Sequence, residues 1–294
     1  MGSEPLVSIM MPCFNAEATL PMALASLRAQ TYENWEAVVV DDGSSDRTWE
    51  MLQAVRDPRL RLARFDHNRG RGAARQRCLE MVSGEFLSFL DADDWLFPQK
   101  LSHQLQLMRE HPEVAVLSGT CIITNAGGDP VGLIGTGPEL ATGVFTHPGP
   151  PPLSFPPCMV RMSSARDARF NPEFRRSQDS DFLIQVMLGK RYAVSSAPVY
   201  AYSQVEAASL DKTMEGYRYR LRCYSQYTDS YPLRARGQMA RTVARMGVYK
   251  VAGWLRLEGR LIERRWQRMT PEARSAYALA KATVTGNLEI KEAS

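Results

Sequence analysis

Short apolar runs that stop at a turn or a carboxylate, each followed by a helical stretch, constrain the fold of this chain more than any other feature. Val7 to Met11 is one such run and ends at Pro12; Ala37 to Val40 is a second and ends at Asp41 and Asp42. A continuous apolar run of this length reads as a strand buried on both faces. Between the two, Leu20, Ala23, Leu24 and Leu27 recur at helical spacing within Ala18 to Gln30. The unit is therefore strand, helix, strand, and the two strands are expected to lie parallel. A second unit follows. Ser44 to Val55 supplies a helix that opens on Ser and Asp caps, Arg59 to Phe65 a strand, Gly72 to Met81 a helix, and Glu85 to Leu90 a strand that stops at Asp91. In open sheets of this kind ligands collect beyond the carboxyl ends of the strands, so a polar site is expected along that edge.

With 294 residues the chain can bury one large α/β core and carry appended helices. Hydrophobic residues at 44% and charged residues at 23% exclude disordered and collagenous classes, and no stretch approaches the ~18 uninterrupted apolar residues of a membrane span. The opening MGSEPLVSIMMPCFN lacks the basic start and long apolar run of a leader, so the cytoplasm is the expected compartment. Five cysteines, odd in number and without a CxxC pair, are expected to be reduced and mostly buried. Asn125 to Pro157 is rich in Gly and Pro and reads as a long mobile connection. After it, Cys158 to Met162 and Tyr192 to Ser195 read as strands around a helix at Asp179 to Leu188.

Past Leu210 the pattern is helical. Ala240, Val243, Ala244, Val248, Val251, Trp254, Leu255, Leu261 and Ile262 share one face, and Arg256, Arg260, Arg264 and Arg268 form a stripe on another. From Leu210 onward 17 Lys and Arg face 8 Asp and Glu, a surplus of nine, which leaves the first 209 residues at −5. An acidic body is joined to a basic tail. With Trp254 and Trp266 the tail has the composition of a helix at a membrane interface, although such a face more often packs on its own domain or on a second subunit.

The chemistry centres on Asp91, Ala92, Asp93 and Asp94 directly after an apolar strand. Clustered carboxylates repel one another, and a hard divalent ion relieves that repulsion. The competing reading is an acidic cap on a helix starting near Trp95 and Leu96. Three further motifs accompany the cluster: MPCFNAEATL at Met11 to Leu20, VVVDDGSSD at Val38 to Asp46, and HNRGRGAARQ at His67 to Gln76. In this order and spacing, over roughly Leu6 to Ser209, the chain resembles the family 2 glycosyltransferases of GT-A fold.

That resemblance implies a Rossmann-like, mostly parallel central sheet flanked by helices, with a C-terminal helical extension. Residues 1–209 would form the catalytic domain, its nucleotide-sugar half at 1–100 and its acceptor half at 101–209, and 210–294 the basic extension. Carried over, Pro12, Phe14, Asn15 and Glu17 frame the nucleoside pocket, with Asp41 and Asp42 near base and ribose. Asn68 and Arg75 contact base and diphosphate, Arg69 and Arg71 being neighbours that read better as solvated charge. Asp91 and Ala92 line the donor site, and Asp91 and Asp93 hold Mn2+ or Mg2+. The family's base follows a Glu; here Gln178 replaces that Glu, Asp179 takes the position of the base, and Asp181 is the alternative. Either aspartate could instead cap the helix. The late Tyr-Arg-x-His segment of the family is Tyr-Ala-Tyr-Ser at Tyr200 to Ser203, which leaves its role unassigned.

The implied activity is inverting transfer of a sugar, UDP-linked by family frequency, to an acceptor hydroxyl of a glycan or lipid-linked carrier, with no nucleic acid involved. A silent sugar-nucleotide-binding scaffold and a nucleotidyltransferase are the alternatives. The second normally opens with a Gly-rich loop after the first strand, which MPCFNAEAT lacks.

Overall fold

The computed structural model describes residues 4–203, 210–254 and 266–289. A ten-stranded sheet runs through the body in the order β3-β2-β1-β4-β9-β6-β10-β5, with β7 paired to β6 and β8 to β10. Strands β1 (Val7–Cys13), β2 (Trp35–Asp41), β3 (Leu60–Arg64) and β4 (Phe86–Phe89) are mutually parallel. Their crossovers are α1 (Leu20–Arg28), α2 (Thr48–Ala54) and α3 (Arg71–Met81). The remainder is mixed. β9 (Met159–Arg161) runs antiparallel between β4 and β6 (Val114–Thr124), and β6 pairs in parallel with β10 (Arg191–Ser203).

Alternate residues of the central strands feed two core layers, as a period of two requires. Ile9, Met11, Ala37 and Val39 pack with Leu20, Leu24 and Leu27 of α1 on one side. Met10, Val38 and Val40 pack on the other with Cys78 and Leu79 of α3 and with Phe182 and Val186 of α6 (Gln178–Met187). All five cysteines are buried and free.

Two local expectations change. The Gly/Pro-rich connection contains β7 (Pro130–Ile134) and β8 (Leu140–Val144), because the edges of β6 and β10 offer them partners: Ile122 pairs with Leu133 and Ala193 with Thr142. Trp95–Leu96 is a strand, β5, antiparallel to β10, and the next helix, α4 (Lys100–Glu110), starts five residues later than the capping reading of Asp94 needs. Lys100, wholly buried at the start of α4, donates to Gln104 Oε1 at 2.7 Å and to the Pro157 carbonyl at 2.9 Å, pinning the end of the connection.

Burial lowers the Lys100 pKa from its ordinary 10.5 to about 7. Between those values the unfolded chain holds a proton that the folded chain has released, so this group makes stability rise with pH. Lys100→Met removes that titration. The wild-type-minus-variant difference in unfolding free energy is expected to grow by up to about 1.4 kcal/mol per pH unit from roughly pH 7 to 8.5. Urea melts at several pH values measure it, and a pH-independent difference refutes the assignment.

Past the sheet, α7 (Leu210–Ser225) packs on α6, and α8 (Pro232–Trp254) packs on α7. The last helix, α9 (Pro271–Glu289), returns to the body, where Tyr277, Ala280 and Val284 bury against Trp95, Phe97 and Ala25. Trp266 also turns inward, against Gly132 of β7. The sequence put Val243, Val248, Val251 and Trp254 on one helical face. In the fold these four side chains are exposed, and the inward contacts of α8 come instead from Ala235, Thr242 and Ala252. Leu255, Leu261, Ile262, Arg256, Arg260 and Arg264 lie outside the described residues.

Candidate donor and acceptor site

The parallel register aligns Cys13 with Asp41, Asp41 with Arg64 and Met10 with Phe89, so the loops after β1, β2, β3 and β4 meet at one edge. The first two lock together. Asn15 adopts a left-handed backbone (φ 49°), tolerated by Asn better than by most residues, and its Oδ1 accepts the Ser45 N–H at 2.9 Å. Glu17 Oε2 accepts the Arg47 N–H at 3.0 Å, while the Asn15 and Ala16 N–H groups donate to Ser44 Oγ and Thr48 Oγ1 at 2.9 and 2.8 Å. Asn15 and Glu17 thus brace the second loop with their side chains. Phe14 stands open at 46% exposure beside the half-buried Pro12.

Asp41 and Asp42 lie beneath this surface. Asp41 has no solvent exposure; Ser44 donates to it through N–H and hydroxyl, and Arg64 Nε sits 3.0 Å from its carboxylate. Asp42 accepts the Arg69 and Gly70 N–H groups at 2.8 and 2.9 Å, one on each oxygen. Burial raises the Asp42 carboxyl above its usual range although both N–H bonds oppose it. At Gly43 (φ 73°) a Cβ would sit 2.5 Å from the His67 carbonyl carbon, so glycine lets the third loop, with the exposed Asn68, close onto the second. Arg69 stacks on Phe65 instead of facing the cleft.

After β4 the four residues Asp91 to Asp94 divide by role. Asp94 is buried and accepts the Tyr200 hydroxyl at 2.7 Å and the Ser203 N–H at 2.7 Å. Burial first, then the charges of Asp93 and Asp91, push its carboxyl well above the usual range. The Tyr200 oxygen in turn accepts the Asp91 N–H at 3.1 Å. Asp91 faces Arg75 of α3, whose Nη2 reaches both of its oxygens at 2.9 and 3.1 Å. Ala92 is buried and Asp93 exposed. Desolvation, then the charge of Asp91, raises the Asp93 carboxyl, with Arg71 and Arg75 opposing. Tyr202 faces the same cluster: burial and then the charges of Asp94, Asp91 and Asp93 push its hydroxyl to about 12.

Tyr200, Tyr202 and Ser203 carry no local signal of this role, since it exists only because β10 runs beside β5. Tyr200→Phe removes the hydroxyl that bridges Asp94 and the Asp91 N–H. It is expected to cost about 1–3 kcal/mol, read as a lowered thermal midpoint, because a buried carboxyl loses its donor.

The remaining expected site residues lie at the start of α6. Ser177, left-handed at φ 61°, occupies the N-cap position, so neither Asp179 nor Asp181 is the cap. Arg176 Nε meets Glu215 at 2.6 Å and the Ser177 hydroxyl donates to the Gly216 carbonyl at 3.1 Å, which fastens the turn to α7. Gln178 is buried and its amide donates to the Phe174 carbonyl. Asp181 is buried too, receiving Gln185, Cys223 and Gln226 at 2.9, 3.2 and 3.3 Å. Asp179 is partly exposed. Arg75 lies within the fields of both Asp91 and Asp179: desolvation would weaken its hold on its proton, but those two charges outweigh it and keep the guanidinium above its ordinary range. One buried cation is therefore influenced by both the strand-end cluster and the α6 carboxylate. The Arg75 guanidinium is taken up by Asp91 and lies 5.0 Å from the Phe155 ring, with 6% of the residue exposed.

The family model described as glycosyl transferase family 2 matches residues 8–162. Among curated relatives, the Escherichia coli protein named UDP-Glc:alpha-D-GlcNAc-diphosphoundecaprenol beta-1,3-glucosyltransferase WfgD is 38% identical over 120 residues, 41% of this chain and 47% of its own length. WfaP of the same species, with the same named activity, is 33% identical over 103 residues, 35% of this chain and 41% of its own. The chain spans about half the length of the curated relatives it matches. Among solved structures, S. aureus TarS 1-349 in complex with UDP-GlcNAc superposes with a TM-score of 0.60 at 23% identity, covering 74% of this chain and 66% of that one. The mannosyltransferase PcManGT from Pyrobaculum calidifontis, in complex with GDP-Man and Mn2+, superposes with 0.55 at 17% identity over 98% of this chain and 88% of its own. These two share the fold. Because the match spans the very strands and loops that converge on Asp91 and Asp93, and covers more than half of the sequence, this chain belongs to glycosyl transferase family 2.

Proposed function

We propose that this chain transfers a sugar from a nucleoside diphosphate donor, UDP-linked in the first instance, to an acceptor hydroxyl with inversion, in the assembly of cell-surface or lipid-linked glycan. The observation that carries this reading is that the charges of Asp91, Asp93 and Asp179 all reach one buried cation, Arg75, which pairs with Asp91 just past the end of β4. Phe14 and Asn68 offer an apolar face and an amide to the base, over loops that Asn15, Glu17, Asp41 and Asp42 hold rigid. We take residues 1–209 as the catalytic unit and 210–294 as its extension.

Among the described residues no three His, Cys, Asp or Glu side chains form a metal cluster. Asp91 and Asp93 nonetheless suit a hard divalent ion: two carboxylates one residue apart, one of them raised in pKa by burial and then by the charge of the other, match an ion that takes the rest of its shell from substrate phosphates and water. When bound, Mn2+ or Mg2+ would offset the charge that develops on the departing diphosphate. Arg75 holds the Asp91 carboxylate through both of its oxygens. Asp179, whose charge also reaches Arg75, takes the acceptor proton as general base, and a single displacement against the departing diphosphate inverts the anomeric centre. Gln178, in place of an acid, supports the turn beside Asp179 through the Phe174 carbonyl. The related chain WfgD is named for a diphosphoundecaprenol acceptor, which supports a lipid-linked acceptor and a cytoplasmic location near the inner membrane face.

The test is release of nucleoside diphosphate from UDP-glucose, UDP-GlcNAc and GDP-mannose, with Mn2+, Mg2+ or chelator, beside thermal shifts with the same ligands. One UDP-sugar should raise the melting temperature and be turned over only with the cation. The reading fails if no nucleotide stabilises the protein under any of these conditions.

A further inference from the structure

Helix α8 has two apolar faces, and only one of them is used. Its inward face packs on α7 and the connection: the Tyr249 ring lies 5.7 Å from that of Tyr217, Gly253 abuts Leu210, and Gln238 abuts Gly149. On the opposite side Leu233, Val243, Val248, Val251 and Trp254 are 87, 56, 58, 57 and 83% exposed. At the helical angle between successive residues these five fall within an arc of roughly 140°. Small residues, Ala240 and Ala244, fill the stripe between them, and both are exposed. Arg234, Arg241 and Arg245 line one flank of the stripe and Lys250 the other, and Arg236 interrupts it near its N-terminal end, all exposed. The helix contains no Asp or Glu over its 23 residues.

An exposed apolar stripe of this length is unusual on a folded protein and marks a docking surface. A second copy meeting it face to face would set basic flank against basic flank with no acid on the helix to compensate. An anionic bilayer satisfies both features at once: headgroup charge meets the flanks, and the aliphatic stripe and Trp254 enter the headgroup boundary. No described helix is long and apolar enough to cross a membrane, so contact through α8 would be peripheral.

We propose that the outward face of α8 seats this protein on an anionic lipid surface. The placement also bears on the site. Gly253, at the end of α8, abuts Leu210 at the start of α7, and Glu215 and Gly216, in the N-terminal half of α7, hold Arg176 and Ser177 just before Asp179. The Trp254 end of the lipid face and the turn that carries Asp179 are thus both fastened to the N-terminal half of one helix. Resting on the transfer reading, this orients the acceptor side of the site toward acceptors anchored in the bilayer.

The experiment is co-sedimentation of the full chain with phosphatidylcholine vesicles with and without about 30% phosphatidylglycerol, at low and high salt. Binding is expected to the anionic vesicles, about ten-fold weaker to the neutral ones and weakened by salt. Val248→Asp/Val251→Asp places two acids on an already exposed face. It should fold with an unchanged melting temperature, retain its UDP thermal shift, and lose vesicle binding by about ten-fold or more. Trp254→Ala, which adds no charge, should weaken binding by a smaller factor. The proposal is overturned by wild-type protein that stays in the supernatant with anionic vesicles, or by a double variant that binds as wild type does. It is also overturned by a vesicle-free dimer that the double variant dissociates, which would make a second copy the occupant. Wild-type protein that ignores anionic vesicles yet keeps its UDP response sinks the membrane contact alone and leaves the transfer reading standing.

Discussion

Asp93→Asn is expected to lower sugar transfer by about 10²–10³-fold, the range seen when one group that stabilises developing negative charge is removed. The effect on folding should run the other way. Desolvation and the neighbouring Asp91 charge raise the Asp93 carboxyl in the folded chain. Between its unfolded and folded pKa the folded state holds the extra proton, so the contribution of this group to stability is present at acid pH and lost as pH rises. At neutral pH without cation, Asn at this position removes a repulsion. The variant should melt at the same temperature as wild type or higher, while the extra stabilisation that Mn2+ gives the UDP complex disappears. Differential scanning fluorimetry with and without Mn2+ and UDP, beside initial rates, reads both. A variant with wild-type turnover, or one that has lost its activity only by unfolding, would remove Asp93 from the site.

Asp179→Asn is expected to lower kcat by about 10²–10⁴-fold, the contribution of a positioned general base, with donor binding unchanged. Its partner Asp181 separates the two readings that the sequence left open. Asp181 is buried and surrounded by Gln185, Gln226 and the Cys223 thiol. Burial raises its carboxyl despite those three hydrogen bonds, as for a group kept from solvent. Asp181→Asn should therefore lower the melting temperature and leave turnover, measured well below that temperature, within a few-fold of wild type. Equal losses of kcat in both variants at full stability would mean that the two carboxylates act together, and a loss in Asp181→Asn alone would exchange their roles.

These two substitutions turn on the division between what spacing reveals and what it hides. The strand, helix, strand alternation was legible because burial on both faces demands uninterrupted apolar runs and crossover helices demand Leu20, Ala23, Leu24 and Leu27 on one side. The gathering of acidic strand ends at one edge followed from runs that end in acids. The connection from 125 to 157 was misjudged as without strands, because β7 and β8 exist through partners on β6 and β10 that no local window contains. Likewise Trp95 and Leu96 form a strand because Tyr200 and Ala201 pair with them.

The aspartates show the boundary most clearly. Their positions at strand ends and at the start of α6 are properties of the sequence, which determined the family, the donor-side loops and the acidic cluster. The tertiary structure decided the rest. Asp41 is enclosed by Arg64 and Ser44, Asp94 by Tyr200 and Ser203, and Asp181 by residues of α7, while Asp91 is joined to Arg75 and Asp93 and Asp179 keep access to solvent. A carboxylate's chemistry depends on its burial and on the donors around it, and several of those donors come from chain segments tens to more than a hundred residues away. The same holds for α8: its apolar face is written in the sequence, but that this face points outward while Ala235, Thr242 and Ala252 turn inward was fixed by the packing on α7.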